Sequence, residues 1–85
     1  MIIVYHKNFT KNFKKLSSAQ KNKFYKRQTL FEIDEFSPIL NNHALTGKYK
    51  GYRTINITGD LRLLYRIEGE VIIFVTIDSH SNLYG

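Results

Sequence analysis

Cysteine is missing from all 85 positions, proline occurs once, and no apolar run is longer than that from Val71 to Val75. Without thiols the chain can form no disulfide and no thiolate zinc site, which fits a reducing compartment. A membrane helix needs ~20 consecutive apolar residues, so no span is expected. Met1-Ile-Ile-Val-Tyr5 gives way at once to His6 and Lys7, unlike a signal peptide, and a cytoplasmic protein is expected. The cofactor motifs are missing too. Gly47 and Gly51 lack the flanks of a phosphate-cradling loop or a dinucleotide fingerprint. The three histidines lack metal-ligand spacing, and Ser79-His80-Ser81 is no nucleophile elbow. The residues therefore call for no metal and no small-molecule cofactor.

Acidic residues are absent from one stretch as well. Residues 7–27 carry Lys7, Lys11, Lys14, Lys15, Lys21, Lys23, Lys26 and Arg27 with no Asp or Glu among them, and the formal net charge of the chain is +6. Such a block suits a polyanion, because neutralising phosphates releases their counterions. The plainer alternative is a solvated, lysine-rich helix face.

What is present suits one folded domain over residues 1–85. Apolar residues make up 42% of the chain and aromatics 14%, enough for a single modest core. Ile2–Tyr5 reads as a first strand. From about Asn8, Phe9, Phe13 and Leu16 recur at helical spacing. Ser17 and Gln20 form a capping-box signature for a second helix, expected to run to about Phe36 with Phe24, Phe31, Leu30 and Phe36 inward, and Ser37-Pro38 stops it. Residues 37–51 form a loop. Three strands follow, near Tyr52–Ile57, Leu61–Ile67 and Val71–Ile77, joined by Thr58-Gly59-Asp60 and Glu68-Gly69-Glu70. The expected architecture is α+β, with the first strand and two helices packed on one face of an antiparallel sheet.

The register that makes one face wholly apolar sets Ile57 against Leu61, Ile55 against Leu63, Ile67 against Val71, Tyr65 against Ile73 and Leu63 against Val75. The opposite face then carries the row Asn56–Arg62–Thr76, with Leu64 and Phe74 at its centre and Asp60 and Asp78 at the same end. A guanidinium set in a sheet is a seat for a phosphate. Its bland counterpart is an ordinary solvent face with a few polar cross-strand pairs.

Cutting RNA without a metal needs a base for the ribose 2′-hydroxyl, positive charge on the phosphate and an acid for the leaving oxygen. Histidine suits the first and last roles. His43, entering the sheet, and His80, just beyond the last strand, are the candidates. Asp60 is a further candidate base or orienting group, or simply a turn former. Arg62 is the first choice for phosphate contact, with Lys48, Lys50 and Arg53 able to add to it. Tyr84 can stack on a base or merely pack. His6 reads as structural.

Three motifs then stand together: His-x-Leu-x-Gly-x-Tyr-x-Gly-Tyr-Arg from His43 to Arg53, Gly-Asp-Leu-Arg-Leu-Leu-Tyr from Gly59 to Tyr65, and Ser-His-Ser-Asn-Leu-Tyr-Gly from Ser79 to Gly85. This set resembles the RelE/ParE toxin superfamily, and its YafQ-like branch most closely, from bacterial type II toxin–antitoxin pairs. The element order of the whole chain fits as well. The resemblance implies an endoribonuclease that cuts mRNA at the ribosome, beside rRNA, without a metal, leaving a 2′,3′-cyclic phosphate. It also implies a cognate antitoxin that wraps the basic surface with an acidic segment. His43, Asp60 and His80 match catalytic positions of the branch, with His80 as general acid. Tyr84 falls where the branch has an aromatic, and Arg62 where RelE-like members have a phosphate-binding arginine. Asn56 stands where the branch commonly has a further histidine and Leu61 where it often has Trp. Asparagine hydrogen-bonds but does not titrate, which leaves His43 or Asp60 as base. Two other readings remain open: a gyrase-poisoning toxin like those on the ParE side, or a degenerate member that only binds its antitoxin.

Overall fold

A capping box opens the longest helix of the chain. In this computed structural model, which describes residues 1–84, Ser17 Oγ accepts from the Gln20 N–H while Gln20 Oε1 accepts from the Ser17 N–H. Helix α2 (Ser18–Ile33) follows, buries Phe24 and Phe31, and ends with Asp34 as its C-cap. The shorter α1 (Lys7–Phe13) is capped by His6, whose Nδ1 accepts from the Asn8 N–H, so His6 is structural as expected. Helix α2 stops before Ser37-Pro38, leaving Ile33 and Phe36 78% and 61% exposed. The expected inward role of Phe36 is therefore corrected.

Strands β1 (Ile2–Tyr5), β2 (His43–Ala44), β3 (Arg53–Asn56), β4 (Leu61–Glu68) and β5 (Val71–Ser79) form one sheet in the order β1-β5-β4-β3-β2. A five-residue helix, α3 (His80–Tyr84), follows β5 directly. The sheet is mixed rather than antiparallel throughout, because β1 runs parallel to β5. The crossover from β1 carries α1 and α2, as a parallel connection requires.

The first hairpin keeps the expected register, Ile55 against Leu63 and Asn56 against Arg62. The second does not. Gly69 adopts φ +59, and Glu68 pairs directly with Val71, so the connection is the two residues Gly69-Glu70. That tighter turn sets Ile67 against Ile72 and Tyr65 against Phe74. An irregularity at Leu64/Tyr65 then shifts the ladder again, so that Leu63 faces Ile77, Leu64 faces Thr76 and Arg62 faces Asp78. Between Phe74 and Thr76 the unpaired residue is Val75, as in a β-bulge. The polar row is thus Asn56–Arg62–Asp78, and Phe74 leaves the polar face.

Phe74 instead joins the core. Its ring lies 5.8 Å from Phe9, 6.1 Å from Phe24 and 6.0 Å from Phe31. Leu40, Ile55, Ile57, Leu61, Leu63, Tyr65, Ile72 and Ile77 complete the buried cluster. Leu64, Leu83 and Thr54 are buried outside that cluster, where the short α3 reaches back to β5. No helix among the described residues is long and apolar enough to cross a membrane.

Candidate active site

The turn joining β3 to β4 ties the site together. Thr58 Oγ1 accepts from the N–H groups of Asp60 and Leu61, and the Ile57 N–H bonds the Leu61 carbonyl. Arg62 leans over this turn and donates from Nη1 to the carbonyls of Thr58 and Gly59, each 3.0 Å away. Its Nε and Nη2 have no partner among the described residues, leaving donors for an anion. The Asp60 carbonyl accepts from the His80 N–H at 2.9 Å, which fixes the start of α3 against the same turn.

Helix α3 carries His80 and Tyr84 one turn apart, their rings 4.8 Å from centroid to centroid. Five residues are too few to hold a helix alone, so its anchors decide its position. Leu83 is buried, and the Tyr49 hydroxyl donates to its carbonyl at 3.0 Å. The Tyr49 ring also meets Tyr84 edge-on at 5.8 Å. At the start of the helix, Ser79 Oγ accepts from the Asn82 N–H, and Asp78 Oδ1 accepts from Asn82 Nδ2.

His43 enters from the other side, on the two-residue β2, paired with Thr54. Its Nδ1 lies 2.8 Å from the Asn41 carbonyl. The neighbouring Asn42 is gripped from three directions. Its Nδ2 donates to the Glu35 carbonyl, its Oδ1 accepts from Arg53 Nε, and the Tyr65 hydroxyl lies against both ends of the amide. Burial holds the Tyr65 hydroxyl above the ordinary tyrosine range, against the opposite pull of Asn42 and Arg53.

These elements leave a pocket of about 270 Å³ lined by Asn41, His43, Leu45, Thr54, Arg62, His80 and Tyr84. Four of the expected site residues, His43, His80, Arg62 and Tyr84, therefore share one cavity. The others lie elsewhere. Asp60 lines another cleft with Lys15, Asp78 and Asn82, and its carbonyl accepts from the His80 N–H. Asn56 lines a third cleft beside Lys23 and Arg27 of α2, and its Oδ1 is buried without a partner among the described residues. Arg53 turns toward Asn42 and lies 5.6 Å over the Phe36 ring. Lys48 sits 5.1 Å over Tyr49 at the outer edge, and Lys50 is exposed in the loop before β3. Among the described residues no three His, Asp or Glu side chains gather as metal ligands would.

Asn41, Asn42 and Tyr49 had no place in the site as read from sequence. The Asn41-Asn42 doublet directly before His43 was the available signal, since Asn tolerates left-handed backbone and Asn41 has φ +48. Nothing local marks Tyr49, whose partner is 34 residues away.

Sheet order, helix pair and this shared pocket define a RelE-like toxin fold. YafQ from Escherichia coli strain BL21(DE3) has a TM-score of 0.79 and 27% identity, with 98% of this chain and 97% of that chain covered. A copper-bound point mutant of a Helicobacter pylori toxin has a TM-score of 0.74 and 27% identity, over 99% of each chain. A YoeB/ParE toxin from Agrobacterium tumefaciens, 18% identical with a TM-score of 0.78 over 94% of this chain and 99% of that chain, shares the fold. No curated protein matches the sequence. Residues 1–85 match the family described as bacterial toxin of type II toxin-antitoxin system, YafQ, and the chain belongs to that family.

Proposed function

We propose that this toxin is an endoribonuclease that cuts mRNA at the ribosome without a metal, leaving 2′,3′-cyclic phosphate and 5′-hydroxyl ends. The observation that carries this reading is the convergence of His43, His80, Arg62 and Tyr84 on one pocket. His43 takes the proton of the ribose 2′-hydroxyl, and the 2′-oxygen attacks the adjacent phosphorus. The bond from phosphorus to the 5′-oxygen breaks, and His80 protonates that oxygen as it leaves. Arg62, with its free guanidinium edge, balances the charge that builds on the phosphate. Tyr84, 41% exposed beside His80, stacks on a base. His43 is favoured over Asp60 as base because Asp60 lines a different cleft.

The partners follow from the same surface. Relatives at 25% and 28% identity were solved as DinJ–YafQ complexes, which supports a cognate antitoxin for this chain. The acid-free block on α1 and the first half of α2 supplies positive charge for ribosomal RNA and for an acidic antitoxin segment. Inducing the toxin alone and mapping the 5′ ends of cellular mRNAs tests the reading. Cuts in register with codons support a ribosome-dependent nuclease. Intact mRNA with broken chromosomes would overturn it in favour of a gyrase poison.

A further inference from the structure

We propose that Asn42 is a positioning residue for His43: clamped by Arg53, Tyr65 and the Glu35 carbonyl, it sets the Asn41 carbonyl against Nδ1 and leaves Nε2 as the free base. The catalytic consequence rests on the nuclease reading; the geometry does not.

The orientation of the Asn42 amide follows from its partners. Arg53 can only donate, so the atom 3.0 Å from its Nε is the amide oxygen. The Glu35 carbonyl can only accept, so the atom 2.9 Å from it is the amide nitrogen. The hydroxyl of the buried Tyr65 sits 2.8 Å from that nitrogen and 3.0 Å from that oxygen, and so finds its partner there. Asn42 is thereby tied to the turn after α2, to β3 and to β4 at once. The residue before it is fixed as well: Asn41 sits in left-handed backbone, and its N–H bonds the Pro38 carbonyl. The peptide between Asn41 and Asn42 is held at both ends, and its carbonyl is the group that meets His43.

A carbonyl oxygen has no proton to give. The 2.8 Å contact therefore requires hydrogen on Nδ1, and a neutral imidazole then carries its lone pair on Nε2. In water a histidine side chain prefers the other tautomer, with the proton on Nε2, which would face a ribose hydroxyl with a second donor. Holding the ring in the useful form is the service that an orienting group performs for a catalytic histidine, and here the half-buried Asn42 fixes the carbonyl that does it. Arg53 takes part through Asn42 and not by touching RNA.

Long-range ¹H–¹⁵N NMR on the folded, ¹⁵N-histidine-labelled chain reads the tautomer directly at about pH 8, where an ordinary histidine is neutral. The wild type should show a protonated Nδ1 and an unprotonated Nε2 at His43. Asn42→Ala should give a mixture of tautomers with native circular dichroism, and Tyr65→Phe a smaller change in the same direction. In an RNA-cleavage assay Asn42→Ala should lower kcat by up to about 10²-fold with KM nearly constant. A wild-type His43 protonated on Nε2 overturns the proposal, as does a folded Asn42→Ala that keeps the wild-type tautomer. Should Asn42→Ala not fold, the wild-type spectrum and Tyr65→Phe still decide. A wild type that cuts no RNA would remove the nuclease reading alone, since the NMR result stands without it.

Discussion

The backbone N–H of His80 donates to the carbonyl of Asp60 across 2.9 Å, joining the start of α3 to the turn that Arg62 holds. Asp60 meets His80 through its main chain, and it lines a neighbouring cleft rather than the pocket of His43, Arg62 and His80. We therefore predict that Asp60→Asn retains cleavage within about tenfold of wild type. His80→Ala, which removes the proposed general acid, should lose on the order of 10²- to 10⁴-fold. Cleavage of a defined transcript under single-turnover conditions separates the two. Equal losses would return Asp60 to the chemistry as a proton carrier.

Arg62 uses one nitrogen to hold the Thr58 and Gly59 carbonyls and keeps the rest of its fork open. Arg62→Ala should cost on the order of 10²-fold in cleavage rate. Arg62→Lys should recover little of it, because an ammonium is a point charge and cannot both brace the turn and present a planar edge. A lysine variant with near-normal rate would show that charge alone suffices and that the brace is incidental.

The parts legible in the sequence are those set by neighbours along the chain. Ser17 and Gln20 announced a helix start, and Thr58-Gly59-Asp60 announced the first hairpin with its register. The second hairpin was legible but its register was not, because Val71 to Val75 is apolar at every position and supports two phases equally well. Its phase is decided by the two-residue turn at Gly69 and the bulge, neither of which hydrophobic pattern reports. The two-residue β2 and the five-residue α3 are too short for any period to show. Alternation did signal the setting of Arg53, which shares a face with Ile55 and Ile57 and bonds Asn42 through Nε.

Tyr65 supplies a test of stability. Its folded hydroxyl titrates above the unfolded tyrosine value of about 10, chiefly because it is buried. The folded state therefore favours the protonated phenol. The associated stability is fully present below about pH 10 and is lost as pH rises through the folded value. Urea midpoints measured upward from neutrality should fall above about pH 10 in the wild type. Tyr65→Phe should lose about 1 kcal/mol at neutral pH, with the Asn42 amide short of one partner, and should show a shallower alkaline fall. Parallel alkaline curves would mean that another group drives the loss.

The lysines of residues 7–27 form the last test, because a solvated face and an RNA surface predict different salt responses. Most of this block is exposed, and the only ion pair between described side chains, Arg66 with Glu68, lies outside it. Apart from Lys21, which lies 5.7 Å over the Phe13 ring, those charges have no ion-pair or ring partner among the described side chains. Changing Lys11, Lys14, Lys15 and Lys26 to Gln leaves the pocket untouched and removes four charges from the basic block. If the block contacts phosphate, affinity for ribosomes should fall, and the slope of log affinity against log salt should flatten by roughly 0.7 to 0.9 per lost contact. Filter binding at several salt concentrations measures both. Cleavage of a short RNA that fills only the pocket should stay near the wild-type rate, because His43, Arg62 and His80 are unchanged. An unaltered salt slope would mark the block as an ordinary solvated face and shift ribosome contact to other elements.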